Sequence, residues 1–233
     1  MRELIDFRDS MARSERTVCL KAPEPAKRSL YSKEALDRGF THMPLNTQYP
    51  GLKRIHEQPP VYTVEHFLSA DECLALVSAA GPLLRPSKTH TPNGLRATPG
   101  RTSMTCHLAK QTLPCPHLLQ KIHHLTNTPY EHMELPQVAR YVSSQRYLNH
   151  YDGVDPHTET GRSFCANGGQ RIATVLVYLN EVDSGGRTHF PRLNLSIKPD
   201  KGTALIFFPA FLNGELDTDA LHSGMPAEDT KWV

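Results

Sequence analysis

The sequence has few cysteines, no long apolar run and almost no excess charge. Its 233 residues include five cysteines, an odd and scattered set that disfavours a disulfide framework and is typical of a reducing compartment. No apolar stretch approaches the length of a membrane span, and the amino terminus lacks the apolar segment of a signal peptide. We therefore expect a cytoplasmic protein without a membrane partner.

Charge of neither sign dominates. The 26 Lys and Arg residues and 24 Asp and Glu residues leave a formal net charge of +2, which gives no electrostatic reason to expect a nucleic-acid partner. Hydrophobic residues make up 38% of the chain, enough for a core, and the 19 prolines indicate many loops. The length suits one large domain, with or without an extension, and the oligomeric state is left open.

The chain divides into a polar amino-terminal part and a patterned remainder. Residues 1–55 lack sustained periodicity, apart from a short helix expected at Ser32–Arg38. We expect residues 1–55 to form an extension that packs on, or trails from, a domain spanning residues 56–233.

Two helices are predicted early in that domain. Ser69 and Glu72 form a capping-box pattern that opens an amphipathic helix ending near Gly81. A second amphipathic helix is expected to start at Pro116, because leucine and isoleucine recur at helical spacing after it. Residues 85–100 lie between them and are rich in turn formers, which predicts either a disordered loop or a functional lid.

Cysteines and histidines around the second helix raise the question of zinc. Their spacing matches none of the paired patterns of structural zinc sites, and the histidines fall on the flank of the predicted helix. We therefore interpret them as ordinary helix and loop residues. The residues concerned are Cys106, His107, Cys115, His117, His123 and His124.

From residue 134 onward the pattern favours strands and turns. Two of the predicted strands, 171–180 and 203–208, are apolar on both faces, as expected inside a sandwich. Residues 183–187 predict a tight turn before a return strand at Thr188. The expected fold class is α+β: a double-stranded β-helix, or jelly roll, with N-terminal helices packed on one side. Further strands are predicted at 138–142, 147–151 and 193–197.

A histidine and a carboxylate lie two residues apart in one predicted strand. His150 and Asp152 therefore project from the same face, and His222 follows another strand-like run 70 residues after Asp152. Two histidines and one carboxylate are the ligand set of non-haem Fe(II) oxygenases. Because most isolated His-x-Asp pairs are surface polar residues, the pair alone also allows that interpretation.

These residues resemble the prolyl 4-hydroxylases, a family of Fe(II)/2-oxoglutarate dioxygenases. The resemblance spans about residues 60–233, and its blocks occur in the order that the family has. Five ordered blocks are far more specific than any one of them. The blocks are 135–152, 168–180, 185–191, 199–208 and 221–226, and the helix at 67–73 and the stretch Arg101–Ser103 also match.

The resemblance implies roles for particular residues. His150, Asp152 and His222 would bind Fe(II) and carry the catalysis. Lys231 would pair with the distal carboxylate of 2-oxoglutarate, although it lies nine residues after His222, where the family usually has ten. Residues 85–103 would be the loop that closes over the substrate. The remaining positions are Tyr141, Thr188 and Tyr178 at the cosubstrate site, and Arg171, Tyr147, Arg101 and Ser103 facing the substrate.

The same resemblance implies the reaction. We expect iron- and 2-oxoglutarate-dependent hydroxylation of prolyl residues in a peptide or protein, with decarboxylation of 2-oxoglutarate to succinate and CO2. O2 would be the second cosubstrate and ascorbate a candidate further cofactor. Two alternatives stay open: the same oxidant acting on another substrate, such as a free amino acid, and a non-catalytic jelly-roll module that holds a metal.

Several of the implied contacts have simpler explanations. Lys231 is alternatively a solvated terminal lysine, and Arg171 a ligand of backbone carbonyls at a strand end. Tyr178 is alternatively a packing residue and Thr188 a cross-strand partner. Two further histidines near the metal blocks, His157 and His189, are alternative ligands, although neither matches a metal position of the family.

Overall fold

The structure, a computed structural model, describes residues 39–91, 94–166 and 168–233, so the helix predicted at 32–38 lies outside it. The helices are α1 (Ala70–Ala80), α2 (Cys115–Thr126) and α3 (Glu159–Ala166). The strands are β1 (Leu52–His56), β2 (Val61–Val64), β3 (Arg85–Pro86), β4 (Thr89–Thr91), β5 (Gly94–Arg96), β6 (Met104–His107), β7 (Gln137–Tyr141), β8 (Tyr147–His150), β9 (Thr174–Val177), β10 (Thr188–Phe190), β11 (Leu195–Ile197), β12 (Ala204–Phe207), β13 (His222–Gly224) and β14 (Lys231–Trp232). Among these described residues, no helix is long and apolar enough to cross a membrane.

Antiparallel sheets stacked face to face form the β core. One layer combines the strand sets β1-β2-β12-β9 and β14-β7-β6-β3, which meet where the Leu179 amide donates to the Trp232 carbonyl at 3.0 Å. The set β11-β10-β13-β8 forms the other layer. Tyr178 follows β9 in the first layer and bonds to Thr188 in the second, so the two layers face each other.

The side chains of strand β12 contribute to two separate hydrophobic clusters. Its side chains alternate between opposite faces. Leu205 and Phe207 pack between the two layers with Phe190. The alternate residues of the strand face the other cluster, which includes Cys73 and Leu76 of α1. Burying one such large apolar side chain stabilises the fold by about 1.5–3 kcal/mol.

The ends of α1 follow the predicted pattern. Both capping-box hydrogen bonds are present: the Glu72 amide donates to Ser69 Oγ at 3.2 Å, and the Ser69 amide donates to Glu72 Oε2 at 2.8 Å. Gly81 keeps a right-handed backbone, with φ of −46°, so the chain continues through a short 3₁₀ turn rather than stopping at a left-handed glycine.

The amino-terminal extension begins to pack on the core well before residue 55. Met43, Leu45 and Tyr49 pack against the larger hydrophobic cluster. Strand β1 pairs antiparallel with β2, with a register shift between Arg54 and His56, so a division between residues 55 and 56 falls inside a strand. The described end of the extension therefore packs on the domain, which is one of the two alternatives expected, and a few apolar side chains in a polar segment are enough to hold it.

Some expectations about individual elements need correction. Residues 85–100 contain the short strand β3 and the hairpin β4–β5 instead of a loop without secondary structure. The strand predicted at 171–180 is limited to Thr174–Val177, and helix α3 was not anticipated. The strand beginning at Thr188 does not return beside β9. It pairs with β11 and β13 in the other layer, because the 183–187 turn carries the chain between layers.

Candidate metal centre

Two neighbouring strands and a bend bring the three predicted metal ligands together. His150 ends β8 and His222 begins β13, and the two histidines are direct partners in the antiparallel register. Asp152 follows in the bend after β8. Their ligand atoms all lie within 4.8 Å of one another. Within the part of the chain that the structure describes, no other group of three His, Cys, Asp or Glu side chains comes together in this way.

The position of Asp152 differs from the sequence interpretation. A continuous strand through residue 152 was expected to place His150 and Asp152 on one face, but β8 ends at His150. The bend is possible because Gly153 lies close to the loop after β12: an added Cβ would be 3.1 Å from the Pro209 carbonyl oxygen. The two ligands therefore converge through a turn of the backbone, not through strand alternation.

Hydrogen bonds orient each ligand. A carbonyl oxygen can only accept, so the 2.7 Å contact with Leu148 shows that His150 donates from Nδ1 and leaves Nε2 free. His222 likewise donates from Nδ1 to the Ala220 carbonyl at 3.0 Å. Both Nε2 atoms face Asp152 Oδ1, at 3.6 and 3.8 Å, while Thr174 donates to Oδ2 at 2.8 Å. This is the outer-shell arrangement that protein metal sites use.

The charge states of the site suit a cation. Burial, reinforced by His222, lowers the pKa of His150 to about 3, so its imidazole is neutral at physiological pH. Burial alone would raise the pKa of Asp152, but His222, Arg171 and the Thr174 hydrogen bond outweigh it and lower that pKa to about 2. A neutral imidazole and a carboxylate are the forms that bind metal. Two imidazoles and one carboxylate fit Fe(II), and such a set leaves coordination positions open.

Lys231 is a buried ammonium group near the same space. It is 3% exposed, which excludes the interpretation as a solvated terminal lysine. Its Nζ donates to the Gly186 carbonyl at 2.6 Å and lies 5.6 Å and 5.7 Å from the ring centroids of Tyr141 and Tyr178. Burial lowers its pKa to about 8. In the described residues no carboxylate pairs with it, so an anion such as a dicarboxylate would remove the cost of its burial.

The other predicted cosubstrate residues line the space between the layers. The Tyr178 hydroxyl donates to Thr188 Oγ1 at 2.8 Å, and both residues are buried, so each also has the simpler structural role. Burial raises the pKa of the Tyr141 phenol, whose hydroxyl bonds to Ser103 and Arg101. Ser103 is itself buried, 2.7 Å from Ser87 Oγ. It therefore supports Tyr141 from inside the protein.

Three of the predicted substrate-facing residues lie next to the ligands. The Tyr147 ring stacks on His150, with ring centroids 3.4 Å apart, and the Arg101 guanidinium lies 4.7 Å from the Tyr147 centroid. Arg171 donates from Nη1 to the Asp152 carbonyl at 2.7 Å, a backbone contact of the kind that the simpler explanation anticipated. It also forms a two-pronged pair with Glu134, at 2.7 and 2.8 Å.

Two of these partners were missed from the sequence. Glu134 precedes β7 and bonds to Arg171, and Thr174 begins β9 and bonds to Asp152. Each is therefore distant in the sequence from its partner. No local pattern marks either residue, because the contact is made across the fold. The alternative ligands His157 and His189 are not part of the group. His157 bonds to Glu215 at 3.1 Å, and His189 lies in β10 opposite Ser196 and Ser223.

The segment after the β4–β5 hairpin covers the free edge of β8. The Leu148 amide donates to the Gly100 carbonyl at 2.8 Å, and the Thr102 amide donates to the Arg146 carbonyl at 3.1 Å. Arg101 is thereby held opposite Tyr147 by an isolated antiparallel bridge. Only the end of the predicted lid, residues 100–102, therefore lies against β8 in this structure.

Comparison with known proteins identifies the family. The profile of the 2OG-Fe(II) oxygenase superfamily matches residues 136–233. Prolyl 4-hydroxylase 2 of Arabidopsis thaliana is 32% identical over 206 residues, which cover 78% of this chain and 67% of that protein. The chain belongs to the prolyl 4-hydroxylase family. This superfamily is named for its cofactors, Fe(II) and 2-oxoglutarate, and as an oxygenase it uses O2, so the chain falls in the class of 2-oxoglutarate-dependent dioxygenases.

Solved structures agree with this membership. The collagen prolyl hydroxylase of Paramecium bursaria chlorella virus-1, in complex with 2OG, aligns with a TM-score of 0.59 and 29% identity over 74% of this chain and 91% of that one. A Pseudomonas putida prolyl-4-hydroxylase, at 20% identity and a TM-score of 0.50, shares the fold. A mimivirus relative is 36% identical over 135 residues. The match covers 57% of this chain and 56% of the mimivirus protein.

Proposed function

We propose that the protein hydroxylates prolyl residues in a peptide or protein, consuming O2 and 2-oxoglutarate and releasing succinate and CO2. The observation that carries this proposal is that a His-Asp-His group and the buried ammonium of Lys231 occur in one site. No carboxylate of the described residues pairs with that ammonium. Tyr141 links the two: its ring is 5.6 Å from Lys231 Nζ, and its hydroxyl is 3.9 Å from where a Cβ on Gly224 would lie, two residues after His222.

The chain supplies binding and orientation. Fe(II) with 2-oxoglutarate would supply the oxidising power that converts a prolyl C–H bond to C–OH. His150, Asp152 and His222 would hold the metal, and Lys231 would hold the far carboxylate of the cosubstrate by a charge-assisted contact. Tyr178, Thr188 and Lys231 are buried between the layers, and electrostatic contacts of buried groups are stronger than those in water.

The open side of the centre suits a polypeptide. The Tyr147 ring lies between His150 and the Arg101 guanidinium, so it contributes the wall of the site beside the metal ligands, and Arg101 and Arg171 offer donors for peptide carbonyl groups. The names of the relatives supply the substrate class: the Arabidopsis proteins are prolyl 4-hydroxylases, and the viral structure is a collagen prolyl hydroxylase. A proline-rich peptide is therefore our first candidate.

Mass spectrometry tests the proposal directly. Proline-rich peptides are incubated with the protein, Fe(II), 2-oxoglutarate and ascorbate, and succinate is measured in parallel. We expect a gain of one oxygen on proline and stoichiometric succinate, and neither from His150→Ala. Succinate without peptide oxidation would favour another substrate, such as a free amino acid. Absence of decarboxylation with every substrate would favour the non-catalytic metal-holding module.

Two further expectations, about the packing of the helices and the location of the protein, belong with this proposal. We infer that α1 and α2 support the jelly roll from one side, because Leu76 of α1 and Leu118 of α2 are buried in the cluster that also contains Ile206 of β12. The cytoplasmic location also stays a prediction; it is supported by the four described cysteines, which are all buried and do not pair with one another.

A further inference from the structure

A buried hydrogen bond joins the amino-terminal segment to the loop before the last metal ligand. His42 Nε2 lies 2.7 Å from Asp217 Oδ2, and the two side chains are only 14% and 6% exposed. A carboxylate accepts, so the imidazole donates. The His42 ring also packs against Phe211 and Phe208, with centroids 4.6 and 5.4 Å away. Leu212 donates its amide to the Thr41 carbonyl at 2.8 Å, which fixes the backbones together.

Asp217 connects this contact to the short turn that precedes His222. While Oδ2 is engaged by His42, Oδ1 accepts from the Asp219 amide at 2.9 Å and caps the 3₁₀ turn Thr218–Ala220. The Ala220 amide closes that turn on the Asp217 carbonyl at 3.2 Å. The turn ends at the Ala220 carbonyl that accepts from His222 Nδ1, so the same short turn sets the direction of the His222 ring.

We propose that His42 is a positioning residue for His222, acting through Asp217 and the 3₁₀ turn. The inference rests on the proposed metal centre but adds a residue 180 positions away from the ligand, in a segment that the sequence indicated only as an extension. Loss of the imidazole leaves a buried carboxylate short of one donor. The carboxylate then turns toward other donors, the cap on Asp219 weakens, and the His222 ring gains rotational freedom.

The test measures the affinity of the full-length protein for Co(II). This ion is a spectroscopic substitute for Fe(II), and its binding is followed by visible absorption. His42→Gln places an amide donor near the position of Nε2, whereas His42→Asn carries the same group on a shorter side chain that does not reach Asp217. His42→Phe keeps the ring packing without the donor. Phe40→Leu is the matched control: Phe40 packs on Phe211 from the same segment, whereas the side chain that bonds to Asp217 Oδ2 is that of His42.

We expect His42→Phe and His42→Asn to bind Co(II) about tenfold more weakly, with altered absorption bands, as outer-shell changes do. His42→Gln and Phe40→Leu should stay within about twofold of the wild type, a rescue that a purely structural role would not give. If His42→Phe does not fold, the Gln and Asn pair decides. Equal Co(II) affinity in those two variants overturns the proposal.

A separate variant distinguishes this inference from the assignment of the metal centre. His222→Ala should abolish Co(II) binding whatever His42 does. If His222→Ala binds Co(II) as the wild type does, the metal centre itself is misassigned and the inference falls with it. If His222→Ala loses Co(II) while His42→Phe and His42→Asn retain full affinity, only the role of His42 is overturned.

Discussion

At the scale of single residues, the two oxygens of Asp152 have different tasks. Oδ1 faces both histidine Nε2 atoms, and Oδ2 accepts from the Thr174 hydroxyl at 2.8 Å. The hydroxyl therefore fixes the rotation of the carboxylate and leaves one defined oxygen for a metal. Thr174 belongs to β9 in the opposite layer, so the centre depends on how the two layers are placed.

Replacing that hydroxyl should weaken metal binding. We expect Thr174→Val, which keeps the shape but removes the donor, to lower Co(II) affinity by about tenfold, because Asp152 loses its orienting bond. Thr174→Ser keeps the hydroxyl and should bind nearly as the wild type does. Titration followed by visible absorption measures both. Equal affinity of the Val and Ser variants would show that the strand position alone orients Asp152.

The depressed pKa of Lys231 predicts a pH dependence of 2-oxoglutarate binding. Burial lowers the pKa to about 8 from the ordinary value of 10.5, so the free protein carries a charged lysine below pH 8 and a neutral one above it. Binding a dianion above pH 8 must then take up a proton. We expect the Kd measured by calorimetry to be flat below pH 8 and to rise by up to about tenfold per pH unit above it.

The matched variant is Lys231→Gln, whose weaker binding should show no such rise. The same difference in pKa also predicts how the stability of the free protein depends on pH. Between pH 8 and 10.5 the unfolded chain holds the Lys231 proton more strongly than the folded one, so the contribution of Lys231 to stability increases with pH in that window. A Kd that is flat through pH 9 in the wild type would contradict the assignment of Lys231 to the cosubstrate.

Residue types predicted the centre better than local geometry did. Two histidines and an aspartate are the ligand set of non-haem Fe(II) oxygenases; the pair alone also allowed ordinary surface residues, and the ordered blocks of the family resemblance decided between the two interpretations. The sequence interpretation reached the right juxtaposition of His150 and Asp152 by the wrong route, since a bend and not a strand brings them together. Glu134 and Thr174 were beyond prediction, because each bonds to a residue on another element and no spacing rule connects them.

At the scale of elements, the turn at residues 183–187 holds Lys231, the lysine that we propose binds the cosubstrate. Gly185 and Gly186 both have positive φ, 73° and 63°, as the glycine pattern predicted. The Gly186 carbonyl accepts from Lys231, and its amide donates to the Pro226 carbonyl at 2.8 Å. The turn therefore fixes Lys231 and the segment after β13 at once.

A methyl group at Gly185 should disrupt both contacts. A Cβ there would meet the Pro226 carbonyl oxygen at 2.4 Å, in addition to the left-handed strain of about 1–2 kcal/mol. Gly94, with φ of 87° and no atom within 4 Å of an added Cβ, is the matched control for strain alone. We expect Gly185→Ala to lose more stability in urea than Gly94→Ala, and to bind 2-oxoglutarate more weakly. Equal losses would rule out the clash.

Periodicity predicted the elements whose partners are close in sequence and failed for the rest. Helix α1 carries its own signals in the capping box, and β12 its own apolar run, so both were found within a residue or two. Strand β10 was expected beside β9, but its partners β11 and β13 are chosen by the packing of two layers. Helix α3 has too few apolar residues for periodicity to mark it.

At the scale of the whole molecule, the amino-terminal segment from residue 39 to 50 belongs to the folded unit. Its polar composition concealed this, because only Met43, Leu45 and Tyr49 reach the core cluster. Hydrogen bonds fix the segment at both ends: Thr41 accepts from Leu212 at 2.8 Å, and the Asn46 amide donates to the Leu125 carbonyl at 2.8 Å. It therefore connects the helical side of the fold with the loop that precedes β13.

Two shortened chains test this connection. A chain of residues 51–233 loses four partly buried apolar side chains and the His42–Asp217 pair, so we expect it to be less stable than residues 39–233 by at least about 3 kcal/mol in urea unfolding. The loss should exceed the burial terms, because Asp217 is left buried without its donor. Adding Asp217→Asn to both chains isolates that part: the substitution should cost the longer chain more than the shorter one. Equal costs would mean that the segment stabilises the fold by apolar packing alone.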